Sequence, residues 1–125
     1  MNVVDSSAWL EYFANGPNAS FFAKPIEQVE ALIVPSLTLF EVFKRVLQQR
    51  DETDALQAIA VMQQGVVANL DSSVALSAAR ISVEKRLPMA DSVILATARQ
   101  YDATLWTQDV DFENIEGIRY CKKQG

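Results

Sequence analysis

Five short apolar stretches, separated by helical segments, are the feature that most constrains the fold of this chain. They are rich in β-branched and aromatic residues, as buried strands are, and they cover residues 3–4, 32–34, 66–70, 104–107 and 117–121. Strands that are apolar throughout and alternate with helices are typical of a parallel sheet covered on both faces. The sequence therefore predicts an α/β fold with helices on both faces of a parallel sheet.

The segments between these stretches have the apolar spacing of helices. They cover residues 6–14, 19–31, 36–49 and 51–64, a segment capped by residues 71–73 that runs toward Arg86, and a last one from Pro88 to Tyr101. Pro25 predicts that the second segment is kinked or divided into two pieces. Pro88 suits a first helical turn, where its missing N–H is not needed.

Helical spacing also predicts which side chains face the core. In residues 36–49 these are Leu37, Phe40, Phe43, Val46 and Leu47, and in the helix that runs toward Arg86 they are Leu76, Ala79, Ile81 and Val83. We also expect Trp9, Trp106 and Phe112 to be core residues rather than platforms for stacked bases.

Length and composition predict one globular domain, residues 1–125, in which half of the residues are apolar. No apolar run approaches the ~20 residues that span a bilayer. The N-terminus lacks a basic region and reaches Asp5 at once, unlike a signal peptide, so we expect a cytoplasmic protein. Cys121 is the only cysteine, which excludes a disulfide framework and a cysteine-based zinc site.

The chain contains no histidine. This excludes Ser-His-Asp and Cys-His nucleophilic catalysis and His-ligated zinc, and it removes the commonest general base. Hydrolytic chemistry in this chain would have to use carboxylates, Lys, Tyr or a metal ion with its bound water.

Four acids are predicted to meet at one edge of the sheet. Asp5 ends the first strand, Asp109 follows the fourth, Asp91 begins the helix before the fourth, and Glu41 lies early in the helix after the second. Ligands of open parallel sheets bind beyond the carboxyl ends of the strands. Carboxylate oxygens are the ligands that Mg²⁺ and Mn²⁺ prefer, so a divalent metal held by Asp5, Asp91 and Asp109 is the hypothesis.

Each acid also has a purely structural interpretation. Asp5 could be a helix N-cap, Glu41 could form a capping box with Thr38, Asp91 could complement a helix dipole, and Asp109 could be a turn residue. The joint interpretation is stronger, because capping alone does not require four elements to place an acid at the same edge.

The net charge of −5 argues by itself against a phosphate-binding surface. If four of the 16 acidic residues share one cation site, however, the charges of the other acids nearly balance those of the 11 basic residues. Lys44 and Arg45 share a helical face with Glu41 and could either form solvated ion pairs or hold a substrate phosphate. Arg86 is a weaker candidate of the same kind.

Four segments of the chain, in order, resemble the PIN domain family, and within it the VapC-type ribonuclease toxins. They read VVDSSAWL at residues 3–10, VPS and FEV at 34–36 and 40–42, LPMADS at 87–92, and LWTQDVDF at 105–112. Together they extend over essentially the whole chain.

The resemblance implies a five-stranded sheet in the order 3-2-1-4-5. Asp5, Glu41, Asp91 and Asp109 match the family's acidic quartet, Ser6 and Thr107 its supporting hydroxyls, and Asp111 a frequent but less constant acid. The family cleaves RNA with Mg²⁺ or Mn²⁺, is usually dimeric, and is inhibited by an antitoxin encoded beside it. We expect an antitoxin Arg or Lys to enter the acidic site.

Two other functions are possible for a chain with this architecture. A receiver-like signalling domain could use Asp71 as its phosphate acceptor, but Asp5 has no acidic neighbour and no Lys follows the fourth strand. A non-catalytic interaction domain with the same architecture would show no metal-dependent nuclease activity.

Overall fold

The structure is a computed structural model that describes residues 1–124. Its strands are β1 (Asn2–Val4), β2 (Leu32–Pro35), β3 (Val66–Ala68), β4 (Thr104–Thr107) and β5 (Ile118–Tyr120). Its α-helices are α1 (Ser6–Phe13), α2 (Ala19–Glu27), α3 (Ser36–Gln49), α4 (Glu52–Met62), α5 (Ser72–Lys85) and α6 (Met89–Gln100). Short 3₁₀ helices cover Val29–Ala31 and Val110–Phe112.

The five strands form one parallel sheet in the order β3-β2-β1-β4-β5, which confirms the predicted fold and strand order. β1 is central and pairs with β4 on one side, Val4 lying opposite Trp106. Because all strands are parallel, their carboxyl ends lie at the same edge of the sheet.

Helices cover both faces of the sheet, and adjacent strand residues point to opposite faces. Val3, Ile33 and Leu105 pack with α5 and α6 in one buried cluster. Val4 and Val34 pack with α1, α2, α3 and α4 in the other. The central strand is therefore buried on both sides, which accounts for strands that are apolar throughout.

The predicted core positions of two helices were partly wrong. Phe40 and Leu47 on α3 are exposed, and so are Leu76, Ala79 and Val83 on α5. The buried faces are centred elsewhere, on Thr38 and Val42 in α3 and on Val74, Ala78 and Ile81 in α5. Thr38 and Ala78 are buried on these faces while larger apolar side chains on the same helices are exposed, so size and hydrophobicity misplaced the buried stripe.

The predicted division of residues 19–31 is confirmed, although the break is not at the proline. Pro25 lies within α2, and the helix ends at Glu27, before the 3₁₀ turn. Gln28, between the two pieces, has φ −92° and ψ 68°, outside the helical region.

No helix within residues 1–124 has both the length and the apolar character needed to cross a membrane.

Candidate functional site

The carboxyl edge of the sheet carries the acids that the sequence singled out. Asp5 directly follows β1, Asp109 lies two residues after β4, and Asp91 is in the first turn of α6. Because β1 and β4 are hydrogen-bonded neighbours, the first two acids emerge side by side. A cleft of about 480 Å³ at this edge is lined by Asp5, Glu41, Asp91 and Asp109.

Asp5 is buried, with 3% of its surface exposed, and it serves two purposes. Its Oδ1 accepts hydrogen bonds from Ser7 Oγ at 2.9 Å and from the Ala8 N–H at 3.0 Å, so it caps helix α1. Its Oδ2 accepts a hydrogen bond from Thr107 Oγ1. The capping interpretation of Asp5 is correct, and the same side chain also faces the acidic cleft.

Thr107 links the two strand ends. Its hydroxyl donates to Asp5 and accepts a hydrogen bond from the Asp109 N–H at 2.9 Å. Asp109 Oδ1 in turn accepts from the Asp111 N–H at 2.9 Å, which begins the 3₁₀ turn of Val110–Phe112. The Thr107 hydroxyl thus holds both the Asp5 carboxylate and the backbone at Asp109, where the acidic loop begins.

The carboxylates of Asp91, Asp109 and Asp111 form a close cluster. One oxygen from each lies within 4.8 Å of one oxygen from each of the other two. Asp111, which the resemblance gave as a supporting acid, is therefore a full member of the cluster, and Asp5 faces it from the end of β1.

Burial and mutual repulsion raise the pKa of two of these acids. The pKa of Asp5 is raised to about 6, chiefly because its carboxyl is buried, and its hydrogen bonds from Thr107, Ala8 and Ser7 partly offset this. The pKa of Asp91 is raised to about 7, first by burial and then by the charges of Asp109, Asp5 and Asp111. Without a compensating cation, burial and repulsion make it unfavourable for all of these carboxyl groups to be ionised together at neutral pH.

Glu41 joins the cleft from α3. Its Oε1 accepts a hydrogen bond from Ser6 Oγ, so two residues that are 35 apart in sequence meet at the rim. The capping-box interpretation of Glu41 is wrong: α3 begins at Ser36, and the Thr38 hydroxyl donates to the Pro35 carbonyl instead.

The basic residues of α3 line the same cleft. Lys44 and Arg45 are exposed at its wall. In the described chain the only ion pair joins Arg50 and Asp54, at 3.5 Å, so neither Lys44 nor Arg45 is paired with Glu41. Arg86 is the exposed C-cap residue of α5 and is not among the residues that line the cleft.

Sequence reasoning missed one residue of the acidic cleft and one buried contact beside it. Phe40, expected in the core, is 61% exposed and lines the acidic cleft. Gln108 is buried between Thr107 and Asp109, and its Oε1 accepts a hydrogen bond from the Asn18 amide at 3.0 Å. No sequence signal relates these two amides, because they are 90 residues apart, and none marked Phe40 as exposed.

The donor set fits a hard divalent cation. Carboxylate oxygens converge here from separate elements, and the pKa values of Asp5 and Asp91 are raised. Mg²⁺ or Mn²⁺ would stabilise the ionised form of these groups. The Asp71 carboxylate caps α5 by accepting from the Val74 N–H and is not among the residues that line this cleft.

Comparisons with known proteins agree on one family. The PIN domain family model matches residues 3–118. A toxin–antitoxin complex from Klebsiella pneumoniae contains a chain that superposes with a TM-score of 0.81 at 19% identity, covering 95% of this chain and 96% of that one. Mycobacterium tuberculosis VapC20, a sarcin-ricin-loop-cleaving toxin, superposes with a TM-score of 0.76 at 15% identity, covering 93% and 95%.

FitAB bound to a DNA fragment is also similar, with a TM-score of 0.74 at 18% identity over 96% of this chain and 94% of that one. No curated protein sequence matches the chain. At these identities the structural matches establish the shared fold, and the family match spans nearly the whole chain.

Proposed function

Since the chain belongs to the PIN domain family, we propose that it is a divalent-metal-dependent endoribonuclease, the toxin of a toxin–antitoxin pair. The observation that carries this proposal is the cluster of Asp91, Asp109 and Asp111 beside Asp5 at one edge of the sheet. A cluster of this kind is costly without a cation and suits phosphodiester hydrolysis with one.

Asp5, Asp91 and Asp109 would hold Mg²⁺ or Mn²⁺, and Asp111 is placed to contribute. When bound, such an ion supplies Lewis acidity toward a phosphate oxygen and toward water, without a histidine base. Thr107 and Ser6 orient the carboxylates of Asp5 and Glu41 through their hydroxyl groups. These bonds fix the carboxylates before the substrate arrives.

The remaining residues would act on the substrate. Glu41 is held at the rim by Ser6, where it can orient a water molecule or accept a proton from it. Lys44 and Arg45 carry unpaired positive charge on the wall of the cleft and would neutralise phosphates next to the one that is cleaved.

Cleavage of total RNA by the purified protein tests this function. With Mg²⁺ or Mn²⁺ we expect discrete products, and none with EDTA. Asp5→Asn and Asp91→Asn should each reduce cleavage on the order of 100-fold or more, because each removes charge from the metal site. The fold should be retained in both variants, as judged by circular dichroism.

Asp102→Asn is the matched control. Asp102 is exposed and is not among the residues that line the acidic cleft, so the same chemical change there should leave cleavage unaffected. Wild-type cleavage rates in the Asp5→Asn or Asp91→Asn protein would rule out the proposed mechanism.

We also propose a cytoplasmic homodimer that is inhibited by the product of a neighbouring gene. A second cleft, of about 760 Å³, adjoins the acidic one and shares Ser7, Leu10 and Arg45 with it. Its lining includes apolar Phe13 and Val46, which suits an amphipathic segment of a partner whose Arg or Lys reaches the acids.

Co-purification with the neighbouring gene product tests this partnership. The complex should be inactive on RNA, and an Arg or Lys variant of the partner should restore cleavage. Full nuclease activity in the wild-type complex would contradict the inhibitory role.

A further inference from the structure

Phe40 is an exposed aromatic residue at the mouth of the acidic cleft. Of the aromatic side chains within residues 1–124, it alone is largely exposed, at 61%, while the others are buried or partly buried. A base stacked on this ring would remove apolar surface of the ring from water, which is favourable. The position of the ring next to Glu41, on the wall of the cleft, makes a substrate group the first candidate partner.

The neighbours of Phe40 on α3 have the chemistry of a nucleotide site. Lys44 and Gln48 follow at intervals of one helical turn and line the same cleft, as does Arg45. The Lys44 ammonium lies 5.8 Å from the centre of the Phe40 ring, where it adds a cation–π contact. One helix face thus carries, beside the acids, an aromatic ring, two cations and an amide.

Each of these groups has a counterpart in an unpaired nucleotide. Bases of single-stranded RNA stack on aromatic side chains, cations neutralise the flanking phosphates, and an amide can hydrogen-bond a base edge. A base inside a duplex is stacked on both sides and could not reach the ring. The arrangement therefore selects for a nucleotide that is not base-paired.

We propose that Phe40 is the stacking platform for an unpaired base next to the cleaved phosphate. This inference rests on the proposed nuclease function and adds to it a base-binding subsite on α3.

Binding of a fluorescein-labelled single-stranded oligoribonucleotide of mixed sequence, followed by anisotropy, tests the subsite. Each protein also carries Asp91→Asn to prevent cleavage during the measurement. Phe40→Leu should weaken binding about ten-fold, since stacking on an aromatic contributes ~1–3 kcal/mol per base. Phe40→Trp should restore it. The same RNA annealed to its complement should bind weakly and respond little to either change.

Leu47→Ala is the matched control, since Leu47 is an exposed apolar residue of the same helix and is not among the residues that line either cleft. It should bind RNA as the wild type does. Equal affinity of Phe40→Leu and its parent for the single strand would overturn the proposal. A change of oligomeric state in Phe40→Leu, measured by light scattering, would also overturn it, because Phe40 would then contact a second copy of the chain.

Kinetics in the otherwise wild-type chain separate this inference from the proposed function. If the wild type cleaves RNA and Phe40→Leu raises KM about ten-fold with a smaller change in kcat, both hold. If the wild type cleaves and Phe40→Leu has the same KM and cut sites, only the stacking subsite is wrong. If the wild type does not cleave, the nuclease function fails, and the anisotropy result alone decides on the subsite.

Discussion

At the scale of single residues, the Thr107 side chain connects an acid near the N-terminus with the acidic loop after β4. Its hydroxyl donates to Asp5 and accepts from the Asp109 N–H. Asp5 and Thr107 are 102 residues apart, and both are buried. A valine of nearly the same shape would leave the Asp5 carboxylate and the Asp109 N–H without this partner.

We therefore predict that Thr107→Val lowers the free energy of unfolding by ~1–3 kcal/mol, because buried polar groups lose their partner. We also expect it to lower the affinity for Mn²⁺ ~10-fold, because the carboxylates are held less firmly. Chemical denaturation and calorimetric titration measure the two effects. Thr104→Val, on the same strand, should change neither. Unaltered metal affinity in Thr107→Val would show that the hydroxyl does not position the acids.

The raised pKa values of Asp5 and Asp91 make the metal-free protein sensitive to pH. Both groups have pKa values near 3.8 when unfolded and about 6 and 7 when folded. The folded state therefore binds more protons between about pH 4 and pH 7, and stability falls as pH rises through that range. For the buried Asp5 alone the shift corresponds to ~3 kcal/mol.

In EDTA, we expect the free energy of unfolding to fall from about pH 4 to pH 7, and Asp91→Asn to flatten the decline. Mg²⁺ or Mn²⁺ should restore stability increasingly as pH rises, in the wild type but not in the variant. Thermal unfolding across this pH range measures both. A wild-type profile that is flat in EDTA would show that burial and repulsion do not raise the pKa values of these acids in the folded chain.

At the scale of elements, Gly65 controls how closely β3 approaches β2. A Cβ at this position would lie 2.8 Å from the Leu32 carbonyl oxygen and 3.0 Å from atoms of the Leu32 and Val34 side chains. Real Cβ atoms do not approach a backbone atom so closely, so the strand would have to move.

Gly65→Ala should lower the free energy of unfolding by ~1–3 kcal/mol, as overpacking does. Gly16→Ala is the control, because the atoms it meets belong to the flexible end of the Glu11 side chain. Equilibrium unfolding compares the two, and equal stabilities would show that β3 can shift without cost.

Element types were predictable from the sequence, but the orientation of two helices was not. The short apolar strands and their helical separators identified every strand and the order of elements. Phe40 and Leu76 were expected in the core because large apolar side chains usually are buried. Thr38 and Ala78 occupy the buried faces of these two helices instead. Which face of a helix is buried depends on the elements that pack against it, and the sequence of the helix alone does not identify those elements.

At the scale of the whole molecule, the acids were predictable as a group because a parallel sheet brings all strand ends to one edge. Which carboxylates come closest was not, because Asp111 reaches Asp91 through a 3₁₀ turn whose path depends on Asp109. The Asn18–Gln108 contact also lay outside sequence reasoning, since it depends on three-dimensional packing.

At a net charge of −5, the RNA binding that we propose would depend on a few cations. Arg45→Ala should lower the slope of log affinity against log salt by about 0.7, the value for one phosphate contact on a single strand. Filter binding of single-stranded RNA at several salt concentrations measures it. Lys85→Ala, on α5 and away from both clefts, should leave the slope unchanged; an equal effect of the two variants would argue for nonspecific attraction.

The pairing of β1 with β4 has a consequence for synthesis of the protein. Asp5 emerges early from the ribosome, whereas Asp91, Asp109 and Thr107 belong to the last third of the chain. A nascent chain therefore carries only half of the acidic centre until translation is nearly complete. Under the proposed function, RNA cleavage should therefore begin only after the last strands have docked, and a chain still attached to the ribosome should be inactive.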